Sequence, residues 1–200
     1  LTLLAPNSSN LQPWEFVVVR SAAARAKLAH ACMDQNAAKT APVLIVALAR
    51  TNTWRENAQW ILDHWPVGEP PKLVQQYSGK LVKYHYAVGM FGTFGLAKRA
   101  INGAMGLIKP APRGPYTPAD MRLWAAKTTA LACENLMLAA RAHGFDTCPM
   151  EGFDEARVRD VVPMADDAYV VMIVAMGKRA AGGVYYPRQR LEQKHVVRYL

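Results

Sequence analysis

The sequence lacks most features that mark specialised protein classes. Its 200 residues include three cysteines and no CxxC pair, which argues against a disulfide scaffold or zinc ribbon and points to a reducing, cytoplasmic setting. No apolar run approaches the roughly 20 residues that a spanning helix needs, and the opening LTLLAPNSSN has no basic region of a signal peptide. Neither GxGxxG nor GxxxxGK[ST] occurs, so the dinucleotide and P-loop fingerprints are missing. His30, His64, His85, His143 and His195 are dispersed, none beside a cysteine or carboxylate at ligand spacing, and no metal is expected. Internal repeats are absent. Only 20% of residues are charged against 52% hydrophobic, enough apolar surface to bury a core and too much for a disordered or fibrous class.

Length and composition fit one domain over 1–200, with an excursion over 51–118. The formal charge of +9 comes from cations scattered along the chain, with small gatherings at Lys98–Arg99, Lys178–Arg179 and Arg188 to Arg198. No RNP-like sequence, zinc-finger spacing or basic repeat accompanies them. A solvated basic surface is therefore expected, with no nucleic-acid partner and no membrane contact.

Glu15 to Arg20 is short and β-branched and reads as a strand; Ser21 can then cap an Ala-rich helix to about Cys32. VLIVALAR after Pro42 and YVVMIVAM over 169–176 are apolar without alternation, as in strands covered on both faces. A long helix is expected from about Pro118 to His143, dense enough in apolar positions to be fully buried and ended by Gly144. Asp154 can cap the shorter helix EARVRDVV, and LTLLA reads as the last turn of a helix whose start is absent. Residues 51–118 hold three tryptophans, a Pro-rich joint and a Gly-studded apolar stretch. This excursion reads as a mobile lid or part of an interface, with an amphipathic membrane-touching helix as the sharper alternative.

Three motifs could carry chemistry. In PNSSNLQPW (6–14), Asn7, Ser8, Ser9, Asn10 and Gln12 supply hydrogen-bonding groups suited to the polar edge of a flat heterocycle; an ordinary connecting loop explains the composition equally well. In CPMEGFD (148–154), Pro149 and Gly152 fix a loop whose backbone N–H groups could point at a ligand, or that is simply an αβ connection with a capping Asp154. In PRQR (187–190), Arg188 and Arg190 would share one side of an extended segment and could grip a phosphate, or form a solvated tail.

In this order, with Trp124 to Thr128 entering the long helix between them, the motifs resemble the FMN-dependent nitroreductase family. The likeness covers most of 1–50 and 118–200, and Asn7 stands where the family more often has Ser. The resemblance implies an α+β fold with a central, mostly antiparallel sheet flanked by helices, in an intertwined homodimer with FMN at the interface. It implies an NAD(P)H-dependent oxidoreductase in which hydride enters and leaves at flavin N5 in a ping-pong cycle, with no catalytic side chain required. The acceptor would be a small aromatic molecule, nitroaromatic or quinone-like. Pro6, Asn7, Ser8 and Asn10 would line the flavin from one subunit. The Glu151–Gly152 backbone would approach N5, Pro149 and Met150 would pack on the ring, Thr128 would face it, and Arg188 with Arg190 would hold the phosphate. Relatives begin with a cationic helix that this sequence starts after, and they place an Asn before the second strand, where Asp34, Gln35 or Asn36 could stand. Residues 191–200 would cross to the partner as an edge strand. The alternatives are a flavin-consuming or dehalogenating relative, a flavin-binding or interaction protein of the same fold without turnover, and a peripheral quinone reductase docked on a membrane.

Overall fold

A computed structural model describes residues 1–200, apart from the side chain of Met90. The β-branched and apolar runs form an antiparallel sheet of four strands in the order β1-β2-β4-β3: β1 Trp14–Val19, β2 Val43–Arg50, β3 Asp146–Met150 and β4 Ala168–Gly177. The two runs without alternation, β2 and β4, are the central strands. One face of the sheet is covered by α1 (Ala22–Ala31), α2 (Asn36–Thr40) and α8 (Glu155–Arg159), through Leu28, Ala38 and Val158 against Leu44, Val46, Leu48 and Ile173. The other face, with Ile45, Ala47, Met172 and Val174, meets Cys133 of α7 (Pro118–Ala142). A central strand with helices on both sides has no solvent face to make polar, hence the continuous apolar run.

The excursion is largely helical. It comprises α3 (Trp54–Asp63), then α4 (Lys72–Gln76), a π-helical turn over Tyr77–Leu81 and α5 (Val82–Tyr86), then α6 (Thr93–Met105). Trp54, Ala58, Val82 and Tyr86 close a third core with Leu11, Met121, Trp124, Ala125 and Tyr169, against the first half of α7. This packing sets the excursion beside the first motif.

In α6 the usual sidedness is reversed. Its buried positions are Gly95, Lys98 and Asn102, spaced along one stripe, while Phe94, Leu96 and Ile101 are exposed, as are Leu107 and Ile108 just after it. A Cβ on Gly95 would lie 1.6 Å from the Tyr116 carbonyl oxygen, so only glycine lets α6 approach the 112–116 segment this closely. Lys98 is 1% exposed, and its ammonium donates to the carbonyls of Tyr84 (3.2 Å), His85 (2.6 Å) and Ala87 (3.0 Å). It thereby caps the carbonyl end of α5.

Several expectations are corrected. Cys148 to Met150 are not loop but part of edge strand β3, paired with Ala175 to Ile173; Pro149 is tolerated because an edge strand can spare an N–H. The long helix is not fully buried, since Leu123, Leu131 and Leu138 of α7 are exposed. The opening LTLLA contains a single 3-10 turn, Thr2–Leu4. In the tail, Gln193–Val196 makes one helical turn, α9, rather than extended chain. Among the described residues no helix is long and apolar enough to cross a membrane, and no group of His, Cys, Asp or Glu could hold a metal ion.

Candidate functional site

The loop of the first motif is held in an unusual backbone conformation. Ser9 (φ 61°), Asn10 (φ 53°) and Gln12 (φ 45°) all lie in the left-handed region, which side chains other than glycine adopt only where surrounding structure compels it. The compelling contacts are visible. The Asn57 side chain donates to the carbonyl of Leu11 at 2.7 Å, the Thr129 hydroxyl to that of Pro13 at 3.3 Å, and the backbone N–H of Gln12 to the Asn7 side chain at 2.9 Å. The hydroxyl of Ser9 bonds those of Tyr77 (2.7 Å) and Tyr86 (2.8 Å), and Ser8 bonds Tyr86 at 3.0 Å. The π-helical turn starting at Tyr77 and the end of α5 at Tyr86 thus deliver two phenols to one serine.

Beside this triad lies a cavity of about 400 Å³, lined by Ser8, Ser9, Tyr77, His85, Tyr86, residues 112–115, Asp120, Leu123, Trp124 and Lys127. Burial and the nearby Lys98 charge hold the His85 pKa below its ordinary 6.5, so its imidazole is neutral at neutral pH. Asp120 is held below the usual carboxylate range by the N–H groups of Tyr116 and Thr117, which it accepts at 2.8 and 2.9 Å in the capping box of α7. The indole N–H of Trp124 is buried and has no hydrogen-bond partner among the described residues.

The second motif lies against the turn before β2. The Gln35 side chain donates to the carbonyl of Gly152 at 2.8 Å, and the Asp154 N–H to that of Ala31 at 2.8 Å. Glu151 and Gly152 are exposed, and neither backbone N–H has a backbone acceptor among the described residues. Met33 and Asp34 (φ 55° and 53°) turn the chain so that Gln35 faces the motif, while Asn36 bonds the Tyr185 hydroxyl of the tail. Of the three candidates before β2, Gln35 therefore touches the second motif and Asn36 touches the tail.

Among the sequence-predicted residues, Ser8 borders the cavity, whereas the amide of Asn7 is engaged inside its own loop, with Gln12 and Ala5. Pro6 and Asn10 are exposed on that loop. Thr128 is buried beside Lys127 and does not line the cavity. Met150 is buried in β3 and Pro149 is exposed on it. Arg188 and Arg190 are exposed in the tail, where Arg190 bonds only the neighbouring Gln189 carbonyl and neither forms an ion pair among the described residues. Among the described residues, no hydrogen bond or ion pair joins the three motifs to one another. Sequence reasoning missed Tyr77, His85, Arg113 and Lys127, whose only signal was their place in an aromatic-rich excursion or beside the Trp124 helix entry.

Comparison with known proteins follows the same outline. A family model described as "Nitroreductase family" matches residues 1–178. A Thermus thermophilus protein named NADH dehydrogenase is 28% identical over 195 residues, covering 98% of this chain and 79% of that one. The crystal structure of Bacillus subtilis YdfN superposes with a TM-score of 0.73 at 23% identity, over 100% of this chain and 84% of that one. An Exiguobacterium sibiricum protein solved in complex with FMN gives 0.67 at 24% identity, over 100% and 82%.

Proposed function

The chain belongs to the nitroreductase family, and from that premise we propose that it carries electrons from NAD(P)H to nitroaromatic or quinone-like acceptors, in a homodimer whose two sites each draw on both protomers. As a family member it is an FMN-dependent oxidoreductase with a nicotinamide donor. When bound, FMN supplies the hydride chemistry, accepting from the nicotinamide and passing reducing equivalents to a second substrate.

The observation that carries this reading is the pair of exposed amides at Glu151 and Gly152, left without backbone acceptors while Gln35 holds the Gly152 carbonyl. Such amides can donate to a ring nitrogen of the flavin, and the glycine lets the backbone come close. The residues present fit the cofactor in two further respects. The strained 9–12 loop offers amide groups at fixed positions, as preorganised recognition of a flat polar edge requires. Arg188 and Arg190, without carboxylate partners among the described residues, are available to a phosphate supplied across a dimer interface. Exposed Leu123, Leu131 and Leu138 on α7, with Leu191, Val196 and Val197 in the tail, are the apolar surface that a second protomer would cover.

The test is an absorbance spectrum of protein mixed with FMN and separated from free flavin, then made anaerobic and given NADH or NADPH. Bound flavin that bleaches and recovers with a nitroaromatic or quinone is expected. A protein that binds FMN without bleaching would be a flavin-binding protein of the same fold.

The reversed sidedness of α6 favours a second reading, a peripheral quinone reductase docked on lipid. Leu96 and Ile101 of α6, with Leu107 and Ile108 just after it, are exposed apolar residues, and Arg99 and Lys109 stand beside them in sequence to meet anionic headgroups. Sedimentation with anionic vesicles, comparing wild type with these four residues changed to Ser, decides it; equal sedimentation removes this reading.

A further inference from the structure

We propose that the cavity beside Ser8 and Ser9 binds the electron acceptor and selects a flat aromatic molecule bearing an anionic group, most simply an aryl carboxylate. The inference rests on the oxidoreductase reading and adds the chemical class of the substrate.

Two observations carry it. First, the walls are aromatic: Tyr77, Tyr86 and Trp124 line the cavity, and the Tyr86 and Trp124 rings stand 4.7 Å apart, centroid to centroid. A planar ligand can pack against such rings. Second, the charge is positive. Arg113 and Lys127 line the cavity with no ion pair among the described residues, and the Arg113 guanidinium rests against Gly106 rather than on a carboxylate. The one acid on the wall, Asp120, already accepts from two backbone N–H groups. His85 adds no charge at neutral pH, since burial and Lys98 keep it deprotonated. Aromatic walls and unpaired cations of two kinds together describe an aromatic acid better than a neutral quinone. A cavity of about 400 Å³ suits one substituted ring and not a whole dinucleotide.

The test is calorimetric titration of the FMN-loaded, oxidised protein with 4-nitrobenzoate and with its methyl ester, in low and high salt. The acid should bind about tenfold more tightly than the ester at low ionic strength, with the advantage shrinking in salt. Arg113→Gln and Lys127→Gln should each weaken the acid several-fold, and together remove the preference. Both residues are exposed and unpaired, so circular dichroism should show the variants folded. Equal binding of acid and ester, or a preference that survives the double substitution, overturns the proposal. So does displacement of 4-nitrobenzoate by ADP, which would assign the cations to the donor's phosphates. The titration is independent of turnover. Acid-selective binding by a protein that NAD(P)H cannot reduce would sink the oxidoreductase reading and leave this site standing, whereas turnover without acid preference would do the reverse.

Discussion

Lys98 shows how one residue can hold a functional wall in place. It is buried with no carboxylate in contact among the described residues, and its charge is compensated by three carbonyls and by the rings of Tyr84, Phe94 and Tyr116, each about 6 Å away. Burial pushes its pKa below the ordinary lysine value, with Asp120 opposing. Lys98→Met would leave those carbonyls unpaired and should cost on the order of 1–3 kcal/mol, read as a lower urea midpoint. The neighbouring His85 gives a pH dependence. Its folded pKa lies below 6.5, so the unfolded chain takes up a proton that the folded chain refuses. The stability tied to this group is fully present above pH 6.5 and is lost as pH falls toward the folded value. Urea midpoints at about pH 7.5 and about pH 5.5 should differ less in His85→Gln than in wild type. Arg188 and Arg190 act at the same scale. Replacing both by Ala should lower FMN affinity about tenfold or more with the dimer intact on gel filtration; unchanged flavin content would remove their phosphate role.

Among the elements, α6 is the one whose sequence misleads. Its apolar residues suggest a helix with an apolar buried face, yet the stripe that packs inward is Gly95, Lys98 and Asn102. The helix is held by polar contacts: Lys98 to the end of α5, and Asn102 to the Tyr84 hydroxyl at 2.9 Å and the Pro112 carbonyl at 3.1 Å. Since residues 112–115 line the cavity, this seating also shapes the site. Gly95→Ala should cost about 1–3 kcal/mol by overpacking and should weaken ligand binding in the cavity along with stability. A variant as stable as wild type would show that α6 can shift without cost. The loop of the first motif is the contrasting element, since its residues announce a binding loop while its conformation depends on Asn57, Thr129, Tyr77 and Tyr86, far away in sequence.

For the whole molecule, the decisive property is the apolar surface a single chain leaves exposed. Leu123, Leu131 and Leu138 on α7, apolar residues of α6 and the tail are exposed, the surface that the proposed second protomer would cover. Light scattering should give twice the 22.1 kDa chain mass. Removing residues 191–200 should reduce dimerisation and flavin retention together, and a stable flavin-loaded dimer lacking them would contradict a shared site. The family likeness was legible because PNSSNLQPW, CPMEGFD and PRQR keep order and spacing. Their convergence was not, because among the described residues Arg188 and Arg190 make no hydrogen bond or ion pair to the other two motifs.

The sequence by itself determined the central strands, the long helix from about Pro118 and the family. Each follows from local chemistry: apolar runs without alternation, a dense apolar stretch ended by Gly144, or motifs read in order. Only the tertiary structure decided that Cys148–Met150 forms an edge strand, that α6 turns its polar stripe inward, and that Arg113, Lys127 and Trp124 share a cavity with Ser8. Those outcomes depend on which partner a segment meets, and contacts between residues far apart in sequence leave no periodicity for the sequence to show.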